Sequence, residues 1–256
     1  NTTHSFTGLK LRQELINSLQ RLGYLHMTPI QAAALPSLLH GQDICAQAQT
    51  GSGKTLAYAL TLLNRCQSDR RWPQALVLCP TRELAAQSAL SLRDLAKGIT
   101  DLRIQCLAGG AGLGMQARAL AAGAHVIVAT PGRLLRHLSL GHLELGKIHS
   151  FVLDEADRML SLGFLDDVTQ IAAKLPEQRQ TMLFSATYDD EALAASKKFQ
   201  HNPVPIQVDS DQAHPDIRQL YYEIREDERF STLLRLLMHH QGESGLIFCN
   251  TKHGSD

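Results

Sequence analysis

Residues 43–55 read Asp43-Ile44-Cys45-Ala46-Gln47-Ala48-Gln49-Thr50-Gly51-Ser52-Gly53-Lys54-Thr55. A short apolar run ends, two glycines alternate with small polar residues, and a helix-like run, Thr55–Arg65, begins. Gly51 and Gly53 let the backbone curl so that its N–H groups point inward at an anion. The N-terminus of the following helix adds the positive end of its dipole, and together they form a cradle for a phosphate. Gln49, Thr50 and Ser52 complete the loop, Lys54 can reach β- and γ-phosphates, and the Thr55 hydroxyl can ligate Mg2+. The usual pattern of such loops opens on Gly, where this chain has Ala48, but the G-x-G-K-[ST] core is intact.

Outward from this loop, short apolar runs alternate with longer helix-like stretches. The predicted strands are Asp43–Gln47, Ala75–Cys79, Arg103–Leu107, His125–Ala129, Phe151–Asp154, Thr181–Phe184 and Pro205–Val208. They are nearly continuously hydrophobic rather than alternating, as strands buried on both faces are. Helices are predicted between them at Arg82–Lys97, Leu113–Ala122 and Gly132–Leu140. Repeated βα units predict an α/β fold, a doubly wound parallel β-sheet flanked by helices, with ligands beyond the carboxyl ends of the strands. The polar stretch 209–216, DSDQAHPD, reads as a linker. Beyond it a strand-like Gln219–Ile224, a helix-like Glu228–His240 and a strand-like Gly245–Cys249 read as the opening of a second α/β domain. Forty-odd residues rarely fold alone.

Phe151-Val152-Leu153-Asp154-Glu155-Ala156-Asp157 is an apolar strand ending in acids. If that strand lies adjacent to the phosphate loop, Asp154 holds Mg2+ through water, and Glu155 orients and deprotonates an attacking water.

Composition limits the alternatives. Of 256 residues 44% are hydrophobic, enough for a core, and 25 basic residues balance 25 acidic ones. That balance excludes a polybasic nucleic-acid coat, so any nucleic-acid site must be a local arrangement. The five cysteines include no C-x-x-C pair and read as reduced, buried thiols of a cytoplasmic protein. The twelve histidines lack metal-ligand spacing. The sequence holds no apolar leader and no run of eighteen apolar residues, so neither a secretion signal nor a membrane span is expected.

Asp154-Glu155-Ala156-Asp157 spells the name of the DEAD-box helicases, and the loop has that family's Ala-first form. Gly23-Tyr24-Leu25-His26-Met27-Thr28-Pro29-Ile30-Gln31 resembles the family's Q motif, with Phe6 at the place of its upstream aromatic. Met27 stands where the family usually has Pro. Pro80-Thr81-Arg82-Glu83-Leu84-Ala85, Gly109-Gly110, Thr130-Pro131-Gly132-Arg133 and Ser185-Ala186-Thr187 follow in the family's order. The resemblance covers nearly the whole chain.

It implies a RecA-like, P-loop NTPase domain over residues 1–208 and an incomplete second RecA-like domain over 217–256. It implies ATP and Mg2+ as cofactors and RNA as partner. Tyr24, Thr28 and Gln31 would recognise adenine; the Gln31 carboxamide offers a donor and an acceptor, and the Tyr24 ring offers a stacking face. Pro80, Thr81, Arg82, Gly110, Thr130, Gly132 and Arg133 would grip one RNA strand by its backbone, with Thr81 and Thr130 as helix N-caps. Such contacts carry little sequence specificity. Ser185 and Thr187 would couple hydrolysis to strand separation through hydroxyl bonds to Asp157 or its neighbours. The expected activity is RNA-stimulated ATP hydrolysis coupled to local unwinding, by a monomer. An ATP-gated RNA clamp and a DNA translocase are the rival readings, and this chain alone is expected to hydrolyse little.

Overall fold

The computed structural model describes residues 5–47, 49, 51–187, 194, 197–208, 220–225, 228–240, 244, 245, 247 and 248. The chain divides into two compact units, Asn1–Asp209 and Ser210–Asp256.

The first unit is built on seven strands. They are β1 (Ile44–Gln47), β2 (Ala75–Leu78), β3 (Ile104–Leu107), β4 (Val126–Ala129), β5 (Ser150–Leu153), β6 (Gln180–Ser185) and β7 (Val204–Gln207). They form one sheet in the order β3-β4-β2-β5-β6-β1-β7, and every pairing is parallel. The fold is thus the α/β, doubly wound parallel sheet that the apolar runs predict. One placement differs from expectation. The acid-bearing β5 is not next to β1, because β6 lies between them.

Eight helices among the described residues cover this sheet: α1 (Gln13–Arg21), α2 (Pro29–Leu39), α3 (Lys54–Arg65), α4 (Arg82–Ala96), α5 (Leu113–Ala121), α6 (Pro131–Ser139), α7 (Ala156–Ser161) and α8 (Leu165–Ala172). Alternate strand residues feed two separate cores, as the two-residue period of a strand requires. Ile44, Ala46, Val77, Val152 and Phe184 pack with residues of α1 to α4. Cys45, Leu76, Leu78, Phe151 and Leu183 pack with Leu134, Met159 and Ile171 on the other face. Burial of both faces explains why the strands show no polar alternation.

The second unit contributes a helix, Arg229–His240, with no buried residue. Its Phe230 and Met238 are 72% and 74% exposed. Residues 220–225 form no strand, contrary to the expectation for Gln219–Ile224. The same is true of Gly245, Ile247 and Phe248, while the linker 209–216 lies outside the described residues. Among the described residues no helix is long and apolar enough to cross a membrane.

Candidate nucleotide and nucleic-acid sites

The glycine loop joins β1 to α3 at the carboxyl edge of the sheet. Gly51 and Gly53 both take positive φ, +87° and +97°, a region costly for any residue with a Cβ. Gly53 is also the N-cap of α3. A Cβ on it would collide with the Gln31 amide nitrogen and come within 2.9 Å of Thr28 Oγ1. The Ser52 hydroxyl donates to the Gln49 carbonyl at 2.7 Å, closing the turn. Ala48 and Thr50 lie outside the described residues.

Gln31 is buried at the third position of α2, and Thr28 is that helix's N-cap. The Gln31 carboxamide makes two bonds. Its oxygen accepts from Thr28 N at 3.0 Å, and its nitrogen donates to the Gly53 carbonyl at 2.9 Å. The Q-motif segment is therefore fastened to the phosphate loop. Beside it opens a cleft of about 340 Å³ lined by Leu22, Tyr24, His26, Thr28, Gln31, Gly51, Gly53, Thr55 and Leu95, among others. Tyr24 is 46% exposed, so its ring is open to a planar ligand. The Thr28 hydroxyl is buried without a hydrogen-bond partner. Phe6 lies in the apolar core rather than in this cleft.

Lys54, Asp154 and Glu155 are brought together and are all buried. Lys54 Nζ lies 3.4 Å from Asp154 Oδ1 and 3.7 Å from Glu155 Oε1. Two acids thus share one cation. Burial pushes the Asp154 carboxyl above its usual range, with Lys54 pulling the other way. Glu155 has a left-handed backbone, φ 54° and ψ 55°, where β5 turns into α7. Such strain in a non-glycine residue persists only where its surroundings enforce it. Asp154 Oδ1 and Lys54 Nζ are both buried, and beyond the ion pairs of Lys54 neither has a hydrogen-bond partner. A carboxylate oxygen and an ammonium held only by their ion pairs, with the Thr55 hydroxyl following Lys54 in the chain, suit a hard divalent cation and a phosphate. Mg2+ fits this donor set.

β6, standing between β1 and β5, ends at Ser185, and Ala186 and Thr187 follow it. The bond to Asp157 is made by the Ala186 amide, which donates to Asp157 Oδ2 at 3.2 Å. Ser185 Oγ is instead buried without a hydrogen-bond partner. The backbone, rather than the serine hydroxyl, links the two motifs. Gln47 Nε2 donates to the Ala186 carbonyl at 3.4 Å and adds the end of β1 to the same node.

A second cleft, about 710 Å³, runs along the ends of β2 and β4. It is lined by Pro80, Thr81, Arg82, Glu83, Gly109, Leu113, Thr130, Gly132, Arg133, Arg136 and Phe164. Six of the seven residues expected to contact RNA line it, and Gly110, φ +90°, adjoins it through Gly109. Thr81 caps α4 by accepting from Leu84 N at 3.3 Å. Thr130 occupies the N-cap of α6 but makes no side-chain cap bond.

The sequence reading passed over two supporting side chains. Gln116 is buried, donates to the Ala108 carbonyl at 2.9 Å, and accepts from Arg133 at 3.3 Å and from His137 Nε2 at 2.9 Å. It thereby ties the Gly109-Gly110 loop to Arg133. Tyr58, one turn beyond Lys54, reaches Asp154 Oδ2 at 3.0 Å. Its i+4 spacing from Lys54 on one helix face was the available signal.

A parallel sheet with a glycine loop and buried acids at its carboxyl edge defines a P-loop nucleotide-binding α/β domain. The DEAD/DEAH box helicase profile matches residues 28–195, and the chain belongs to that family. The ATP-dependent RNA helicase DbpA of Escherichia coli (strain K12) is 48% identical over 237 residues, covering 93% of this chain and 52% of the relative. The ATP-dependent RNA helicase DeaD of the same organism is 40% identical over 252 residues, 98% of this chain and 40% of the relative. The chain spans about half the length of these curated relatives. The crystal structure of a DEAD box protein from the hyperthermophile Methanococcus jannaschii superposes with a TM-score of 0.77 at 38% identity, covering 97% of this chain and 67% of that one.

Proposed function

We propose that this chain supplies the nucleotide-binding domain of an ATP-dependent RNA helicase, which hydrolyses ATP in response to RNA and opens short duplexes. The observation that carries the reading is the buried Lys54–Asp154–Glu155 cluster beside the Tyr24–Thr28–Gln31 cleft. Adenine would stack on Tyr24 and pair with Gln31, and Thr28 would add its open hydroxyl. Gln49, Thr50, Gly51, Ser52 and Gly53 would wrap the phosphates, with Lys54 on the β- and γ-groups. Asp154, through water, would serve with Thr55 to hold Mg2+, which when bound neutralises phosphate charge. Glu155 would accept the proton of the attacking water.

Pro80, Thr81, Arg82, Gly110, Thr130, Gly132 and Arg133 would hold the sugar–phosphate backbone of one RNA strand, independent of sequence. Asp157, Ser185 and Thr187 would couple the two sites, supported by the Asp157–Ala186 bond. Residues 217–256 would open a second RecA-like domain after a 209–216 linker. The exposed apolar face of Arg229–His240 supports this, since such a face needs a cover. The protein would act as a monomer in the cytoplasm, in keeping with thiols at Cys66, Cys79 and Cys106 that form no disulfide among the described residues.

The test is ATP turnover by the complete two-domain protein with and without single-stranded RNA. Stimulation by RNA that Glu155→Gln abolishes is expected. A normal rate in Glu155→Gln would defeat the reading.

A further inference from the structure

One polar group on α3 has no part in the phosphate chemistry above. Tyr58 is fully buried, and its ring packs against Phe184 with centroids 5.7 Å apart. A phenylalanine would fill that space equally well, so the hydroxyl calls for its own account. Tyr58 Oη lies 3.0 Å from Asp154 Oδ2 and 3.0 Å from Ser88 Oγ, and the Thr55 hydroxyl also bears on it. The phenol has one hydrogen. A carboxylate accepts it more strongly than a neutral hydroxyl does, so Tyr58 donates to Asp154 and Ser88 donates to Tyr58. Cys79 Sγ extends the chain to Ser88 at 3.8 Å.

The consequence is directional. Oδ2 of Asp154 is occupied, and Oδ1, buried and without a hydrogen-bond partner, is the oxygen on the Lys54 side. A carboxylate lacking that anchor could rotate or present both oxygens. The chain of hydroxyls also leaves the phosphate site: Ser88 belongs to α4, whose first turn lines the Arg82–Arg133 cleft, and Cys79 immediately precedes Pro80.

We propose that Tyr58 is a positioning residue whose hydroxyl fixes Asp154 so that Oδ1 faces a nucleotide-bound divalent cation, and that through Ser88 it ties this carboxylate to helix α4. The proposal rests on the phosphate-site reading above.

The test is the affinity of this chain for the non-hydrolysable ATP analogue AMPPNP, measured by calorimetry in EDTA and in Mg2+. The ratio of the two dissociation constants is the metal coupling. For Tyr58→Phe the EDTA affinity should stay at the wild-type value, and the coupling should fall roughly threefold to tenfold, part of the worth of one charge-assisted hydrogen bond. Ser88→Ala should shift the coupling the same way by less, and Asp154→Asn should erase it. Wild-type coupling in Tyr58→Phe overturns the proposal, even if its melting temperature has dropped, since the hydroxyl would then serve stability alone. If Tyr58→Phe does not fold, unchanged coupling in Ser88→Ala overturns it. A wild-type chain that binds no AMPPNP in either buffer defeats the phosphate-site reading and the proposal with it; intact binding with an unmoved ratio defeats the proposal alone.

Discussion

Gln31 Nε2 donates to the main-chain carbonyl of Gly53 at 2.9 Å, across 22 residues of chain, while its oxygen holds the Thr28 amide. The group expected to read adenine is also a strut of the phosphate loop. Gln31→Glu keeps the shape and the bond from Thr28 but sets a carboxylate oxygen against the Gly53 carbonyl. Losing one hydrogen bond and adding that repulsion should weaken ATP binding about tenfold or more. Equilibrium binding of a fluorescent ATP analogue measures this.

Gly53 carries the reciprocal prediction. Alanine there meets both a left-handed φ and the Gln31 and Thr28 side chains. The φ alone costs about 1–2 kcal/mol. At roughly 2–4 °C per kcal/mol for a domain of this size, Gly53→Ala should lower the melting temperature by about 2–8 °C and abolish nucleotide binding. Calorimetric melting with and without ATP separates the two effects.

Asp154 illustrates a site held at the expense of stability. Burial raises its carboxyl pKa, so its contribution to stability is greatest below the unfolded pKa and is lost as pH rises through the folded value. At neutral pH the ionised form is therefore a burden on the ligand-free fold. Asp154→Asn should raise the ligand-free melting temperature, by roughly 2–4 °C if about 1 kcal/mol is relieved. It should do so while losing the Mg2+ dependence of nucleotide binding. A melting curve that falls instead would show that Lys54 needs both acids.

The histidines set the acid limit. Burial depresses the pKa of His125, His137 and His149. At His125 the Arg103 amide donates to Nδ1 at 2.9 Å, so that nitrogen has no room for a second proton. The folded pKa lies below the unfolded one; stability from this residue is complete above about pH 6.5 and is lost as pH falls toward the folded value. Thermal melts between pH 7.5 and pH 5.5 should show falling stability. His125→Asn, which keeps an acceptor for Arg103 without titrating, should flatten that slope.

The sheet was legible because strands buried on both faces are apolar throughout, and all seven appear within a residue or two of where the runs place them. Its order was not. That β6 separates β1 from β5 depends on the β1–β6 pairing, between residues more than a hundred positions apart. The stretches read as helical do not include α1, α2, α7 or α8; the last two are short because Gly163, φ +80°, separates them into pieces of six and eight residues. The residues of the candidate site could be named from their motifs, but not their supports. Gln116 and Tyr58 are polar residues on otherwise ordinary helices, and only the fold brings them to Arg133 and Asp154. The strand expected at Gln219–Ile224 followed from apolar content alone, and its described residues 220–224 are not in any ladder.

Arg82, an exposed arginine of the second cleft, gives a salt-dependent test. Arg82 is paired only loosely with Glu83, at 3.7 Å on the surface. Arg82→Ala should weaken binding of single-stranded RNA equally across sequences and reduce the salt slope of log K by about 1. Titrations of two unrelated oligonucleotides at several salt concentrations measure both quantities.

The most direct measurement is the affinity of this chain for ADP against GDP, with Lys54→Ala as control. Binding of ADP at least about tenfold tighter than GDP, lost in Lys54→Ala, is what a Gln31-read adenine cleft joined to the Lys54 phosphate site requires. Equal affinity for the two nucleotides, or ADP binding that survives Lys54→Ala, would contradict it.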